Sequence, residues 1–165
     1  MRSTQPIRVA LIRALPPGFA ELAADALADS QKLLEVLRDD WTSGVQRFDG
    51  PGEALFAAYA GDALLGLGGV TRDPYLEDGT GRVRRLYVRR AARGHGAGRA
   101  LVEAIIEEAG DAGWPRLRVR APASAFLFYE RCGFLRAVGE RAATHVRPLR
   151  QALRDAAEGV TGLRA

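Results

Sequence analysis

The chain has 165 residues, 47% of them hydrophobic and 27% charged, with a formal net charge of +4. That balance fits one globular domain, residues 1–165, large enough to bury its own core, and no apolar run approaches the length of a bilayer span. Cys132 is the only cysteine, which excludes an internal disulfide and a cysteine-based zinc cluster.

Ile7, Val9 and Leu11 alternate with more polar neighbours, predicting an edge strand from Ile7 that ends before Pro16-Pro17. From Phe19 to about Val45 the apolar residues recur at helical spacing, and a break near Ser30 divides them into two helices. Gly50-Pro51-Gly52 is a loop. Ala54 to Ala60 and Leu64 to Thr71 then flank Gly61-Asp62, a hairpin signal. A polar loop follows, carrying Asp73, Glu77 and Asp78.

In the next strand, Arg82 to Val88, Val83 lies on one parity and Leu86 and Val88 on the other. Strict alternation cannot bury all three together, so a β-bulge is expected near Arg84-Arg85. After the turn Arg93-Gly94-His95-Gly96-Ala97-Gly98, a helical stripe runs through Leu101, Val102, Ile105, Ile106 and Ala109 and closes at Gly113. Leu117, Val119 and Ala121 alternate with Arg116, Arg118 and Arg120 in a strand that should lie parallel to the one before the turn. Ser124 is placed to cap a helix bearing Phe126, Leu127, Phe128 and Tyr129, and Phe134–Val138 with Ala143–Leu149 can close a hairpin. The tail after Arg150 reads as a short helix. The element order β-α-α-β-β-β-α-β-α-β-β defines a mixed α/β domain.

A strand, a glycine turn and a helix start make an anion cradle, because the first amides of a helix lack intrahelical acceptors and lie at the positive end of its dipole. A Walker loop would need Gly-Lys-Ser/Thr, whereas Arg99-Ala100 follow Gly98. A dinucleotide fingerprint would need a third glycine at Arg99 or Leu101. Neither nucleotide pattern fits.

The residues do match another pattern. Arg93-x-x-Gly96-x-Gly98 directly follows Leu86-Tyr87-Val88, and Ala125-x-x-Phe128-Tyr129-Glu130-x-x-Gly133-Phe134 comes later on its own helix. The chain thereby resembles the GCN5-related N-acetyltransferase (GNAT) superfamily, with its two signatures between residues 82 and 134. The resemblance implies a GNAT acyl-CoA N-acyltransferase fold, a mixed sheet with splayed central strands flanked by helices. It also implies transfer of an acetyl group from acetyl-CoA, the co-substrate, to an amine by direct attack in a ternary complex, with no metal. The amides of Gly94, His95, Gly96, Ala97, Gly98 and Arg99 would hold the pyrophosphate, with charge or packing from the Arg93 side chain. The backbone of Leu86, Tyr87 and Val88 would pair with the pantetheine arm.

Tyr129 would be the general acid toward the departing thiolate, since a phenol is protonated at neutral pH. Phe126 and Phe128 read as core or pantetheine wall, and Cys132 as buried and inert. The general base is less defined: the strand has Arg82 where many family members carry glutamate, which leaves Glu77, Asp78 or His145 acting through water. Pro122 stands where many members have a cofactor-binding asparagine. His95 and His145 alone, without cysteine ligands, do not make a metal site. An alternative of another class is a regulatory module that binds acyl-CoA without turnover.

The acceptor is a small-molecule or peptide amine, shaped by the helix pair around Trp41, the loop 73–81 and the last hairpin. The acidic residues of that loop suggest a cationic one. Neither nucleic acid nor membrane is expected as a partner: Lys32 is the only lysine, and no basic helix is interleaved with aromatics. The N-terminus lacks a signal-peptide core, so a cytoplasmic address is expected. Homodimers are common in the family.

Overall fold

The computed structural model describes residues 5–149 and Ala157. Its elements follow the expected order. They are β1 (Ile7–Ile12), α1 (Phe19–Ala28), α2 (Leu33–Ser43), β2 (Ala54–Ala60), β3 (Ala63–Arg72), β4 (Gly81–Val88), α3 (Ala97–Asp111), β5 (Arg116–Val119), α4 (Phe126–Arg131), β6 (Leu135–Arg136) and β7 (His145–Pro148). The helix expected in the tail lies outside the described residues except at Ala157, which is helical.

Seven strands form one sheet in the order β1-β2-β3-β4-β5-β7-β6. All neighbours are antiparallel except β4 and β5, which run parallel and are joined through α3. Both faces of the central strands are covered. In β2, Ala54, Phe56 and Ala58 pack into the cluster beneath α3, while Leu55 and Ala57 pack into the cluster beneath α1 and α2. The period of two along a strand sends successive side chains to opposite faces, so a sheet buried on both sides reads as an almost unbroken apolar run.

The break between the first two helices is at Ser30, whose φ of 58° cannot continue a right-handed helix. At the end of α3, the amide of Trp114 donates to the carbonyl of Ala109 at 3.1 Å across Gly113, whose φ is 79°. That is the glycine-closed end expected from the sequence. By contrast Ser124 caps nothing: α4 starts from Ala125 without a side-chain cap.

The bulge is present. Leu67 faces Tyr87 and Gly69 faces Arg84, so two steps along β3 match three along β4. The extra residue puts Arg85 at φ 55°. Val83, Leu86 and Val88 all reach the α3 side, and Tyr87 the α1–α2 side. Gly66 accommodates the distortion, because a Cβ there would lie 2.5 Å from the carbonyl oxygen of Tyr87.

β4 and β5 then part. Their ladder consists of Gly81 against Leu117 and Arg82 against Arg118, and no later pair follows. Where they begin to separate, a buried ionic cluster ties the neighbouring loops together. Asp73, fully buried, places Oδ2 at 3.5 Å from Nη1 of Arg82 and 3.6 Å from Nη1 of Arg118. Glu140 approaches Arg118 and Arg116 at 3.8 and 3.7 Å.

Candidate functional site

The parting of β4 and β5 opens a cavity of about 1180 Å³. Val83 and Val119 stand at its start, Gly94, Gly96 and Gly98 at its other end, and Phe128 and Tyr129 of α4 on its wall. The sequence pattern thus meets in one space: the bulged strand, the glycine turn and the aromatic helix all line it.

The turn has the character of an anion cradle. Gly94 and Gly96 adopt φ of 81° and 92°, a left-handed conformation that costs glycine nothing and strains other residues. Gly96 caps α3. Among the described residues, none of the amides from Gly94 to Arg99 donates a hydrogen bond, and the first intrahelical donor is Ala100, bonded to Gly96 at 3.0 Å. These amides sit at the positive end of a 15-residue helix. Gly98 is also a close approach: a Cβ would come 3.2 Å from the Phe128 ring.

What holds the turn in place was not apparent from the sequence. Asp25 of α1 and Asp29, which follows its last residue, reach across to it. Asp25 accepts the Tyr87 hydroxyl at 2.6 Å and the Arg90 amide at 3.0 Å. The Tyr87 bond first, and then the Arg90 bond, hold its carboxyl below the usual range. Burial, and next its bond to Asp25, push the Tyr87 phenol up to about 12. Arg93 donates to Asp29 at 2.8 Å and to the carbonyl of Val88 at 3.1 Å, so its guanidinium braces the turn. His95 is exposed and lies 3.4 Å from the Ala92 carbonyl.

Tyr129 is 5% exposed, with Phe128 and Phe134 edge-on at centroid distances of 5.1 and 5.4 Å. Burial first, and then the neighbouring Cys132, raise its phenol above the ordinary range, so it stays protonated at physiological pH. Cys132 is half-buried and lines a separate groove under α3, and its thiol is pushed up by burial.

Neither carboxylate named as a base lies on the cavity wall. Asp78 accepts the amide of Thr80 at 3.0 Å, bonds its hydroxyl at 2.5 Å and pairs with Arg116 at 3.3 Å. The Thr80 hydroxyl bond is the first cause of its lowered pKa. Glu77 is exposed on the same loop and His145 is fully buried behind α4, its ring edge-on to Phe126 at 4.9 Å. Neither lines the cavity, and Trp41 does not reach it. Among the described residues the one carboxylate on the wall is Asp29, already held by Arg93.

The comparisons agree with this arrangement. Residues 26–150 match the model of the acetyltransferase (GNAT) domain, and the chain belongs to that family. A solved structure from Exiguobacterium sp. 255-15, assigned as an acetyltransferase, is 28% identical with a TM-score of 0.79, over 92% of this chain and 99% of that one. An acetyltransferase from Streptococcus agalactiae 2603 is 16% identical with a TM-score of 0.68, over 88% and 99% of the two chains. A GNAT-family acetyltransferase from Staphylococcus aureus Mu50 is 15% identical with a TM-score of 0.66, over 87% and 100%. These two share the fold. No curated protein matches the sequence. The chain is thus a GNAT acetyltransferase, a class whose co-substrate is acetyl-CoA. Among the described residues, no cluster of His, Cys, Asp and Glu could hold a metal, and no helix is long and apolar enough to cross a membrane.

Proposed function

We propose that the protein transfers the acetyl group of acetyl-CoA to an amine by direct attack within a ternary complex. The observation that carries this reading is the continuity of one cavity from the free amides of the glycine turn, along β4, to Tyr129. Its volume exceeds that of a typical single-ligand pocket, which leaves room for a long co-substrate and a second reactant.

When bound, acetyl-CoA supplies an activated thioester whose carbonyl an amine can attack. The amides of Gly94 to Arg99 suit its pyrophosphate, and the β4 backbone at the bulge, freed from the β3 ladder, suits an amide-bearing arm. Tyr129 donates a hydrogen bond to the sulfur as it takes on charge. Pro122, on the cavity wall, has no N–H and no side-chain amide, so the turn and β4 carry the recognition that asparagine gives elsewhere in the family. The lone cysteine lies off the cavity, which favours direct transfer over a cysteine acyl-enzyme.

The amine must be neutral to attack. Arg82, Arg84 and Arg85 line the cavity with no free carboxylate beside them. Among the described residues no free carboxylate on the wall is placed to take the amine's proton, so it passes to water.

The reading is tested by incubating the protein with acetyl-CoA and a panel of amines and following free thiol. Thiol release above the enzyme-free rate with at least one amine is expected, together with about 2.7 kcal/mol of stabilisation at a hundredfold excess over Kd. Stabilisation without thiol release would favour the regulatory-module alternative. The cradle has its own test. Gly96→Val forces a β-branched residue to a φ of 92° at the helix start, and is expected to raise the Kd for acetyl-CoA about tenfold or more, read by calorimetry. An unchanged Kd would move the phosphates elsewhere.

A further inference from the structure

We propose that the acceptor amine belongs to a molecule that also carries a carboxylate or phosphate, seated on Arg84 and Arg120 across the gap between β4 and β5. This rests on the acetyltransferase reading above and adds to it the chemical class of the second substrate.

Arg84 is half-buried on β4 and lines the cavity. Its one hydrogen-bond partner among the described residues is the Thr71 hydroxyl, at 3.5 Å, and no carboxylate lies within ion-pair distance. Its neighbours differ in this respect: Arg82 pairs with Asp73 and Arg85 with Asp40, each at 3.5 Å. Burial, and next the charges of Arg85 and Arg82, push the Arg84 guanidinium below its usual pKa. A half-buried cation beside two others, without a carboxylate, is costly unless an anion completes it.

Arg120 faces the same space. Arg82 and Arg118 form the last pair of the β4–β5 ladder, and both reach Asp73 on the face away from α3. Two residues beyond Arg82, Arg84 falls on that same face of β4 by the period of two, and Arg120 follows directly on the end of β5 at Val119. Arg120 is exposed, lines the cavity, and has no ion-pair partner among the described residues.

The phosphates of the co-substrate cannot serve both ends of the cavity. Because of the bulge, the four steps from Arg84 to Val88 match three on β3, from Gly69 to Gly66, and at about 3.3 Å per step this sets Arg84 roughly 10 Å from the strand end that feeds the glycine turn. With the pyrophosphate on the turn and an uncharged arm along β4, a negative group at Arg84 has to come from the second reactant. The acidic loop residues that suggested a cationic acceptor point elsewhere. Asp73 is consumed by Arg82 and Arg118 and Asp78 by Thr80 and Arg116, and none of Asp73, Glu77 and Asp78 lines the cavity.

The test uses matched probes with saturating CoA present to fill the phosphate end: phosphoethanolamine against ethanolamine, phenylalanine against phenethylamine, and inorganic phosphate alone. Thermal stabilisation is measured for the native protein and for Arg84→Gln. The charged member of at least one pair, and phosphate, are expected to stabilise the native protein at concentrations about tenfold lower than the neutral member or than they require with R84Q. The shift produced by CoA itself reports that the variant is folded. Equal responses to charged and neutral probes, no response to any of them, or a preference that survives in R84Q, would overturn the proposal. Thiol release is read in parallel with acetyl-CoA. Turnover without a charge preference sinks the anionic acceptor alone; a charge preference abolished by R84Q, with no turnover of any amine, supports the anion site and sinks the acetyltransferase reading.

Discussion

Replacing Tyr129 with phenylalanine is expected to lower turnover about a hundredfold while leaving the Kd for acetyl-CoA within about twofold, because a positioned proton donor contributes on that order to a rate. The variant isolates one atom. Among the described residues the Tyr129 hydroxyl makes no hydrogen bond, so its loss strands no partner, and the ring contacts with Phe128 and Phe134 are kept. The raised pKa of the phenol has two consequences. Transfer of its proton to a solvated thiolate would be uphill, since a thiol titrates near 8.5. The same low-dielectric wall also disfavours a free thiolate, which strengthens a hydrogen bond donated to the departing sulfur. Burial raises the phenol above its ordinary value near 10, so its donor form persists and no falling limb from Tyr129 is expected below about pH 10. The pH profile of kcat/KM should therefore rise as the amine loses its proton and then stay level. An unchanged kcat in Tyr129→Phe would reduce the residue to packing, and a falling limb near pH 8 that disappears in the variant would contradict the raised pKa.

The parts of this site that could be read from sequence are those in which neighbours along the chain decide the geometry. The mismatch of parity between Val83 and Leu86 located the bulge, because burial on one face leaves no other register. The glycines at 94, 96 and 98 announced backbone exposed at a helix start. What remained hidden depends on partners distant in the chain. Arg116, Arg118 and Arg120 share one parity in the sequence, yet Arg118 is fully buried, because Asp73 from another loop meets it. Asp25 and Asp29 belong to no motif of the sequence, yet they secure Tyr87, Arg90 and Arg93. Only their spacing of four, opposite a run of arginines after β4, hinted at a latch. The pairing of Asp73 and Asp78 was hidden for the same reason, since their arginines lie on strands distant in the chain.

The buried cluster around Asp73 carries the largest expected effect on stability. Asp73→Asn keeps an oxygen for the Tyr75 amide, which Asp73 accepts at 2.9 Å, and removes only the negative charge. Arg118, fully buried, and Arg82, 8% exposed, would then face each other across the ladder with their shared counterion gone. Breaking a buried pair by removing one member costs about 3–5 kcal/mol, and the value here should fall at the lower end because Glu140 stays at 3.8 Å from Arg118. With a urea m-value of about 1–3 kcal/mol per molar, the midpoint should fall by roughly 1–3 M. Glu140→Gln is the comparison: its side chain is 34% exposed and its contacts are 3.7 and 3.8 Å, so its loss should cost under about 1 kcal/mol. Equal midpoints for both variants would show that the cluster does not depend on Asp73. The expected inequality places the mutual repulsion of Arg82 and Arg118 where β4 and β5 separate. The sheet then holds its two strands together at Arg82 and Arg118 through one carboxylate and lets them diverge immediately beyond it, which is where the cavity begins.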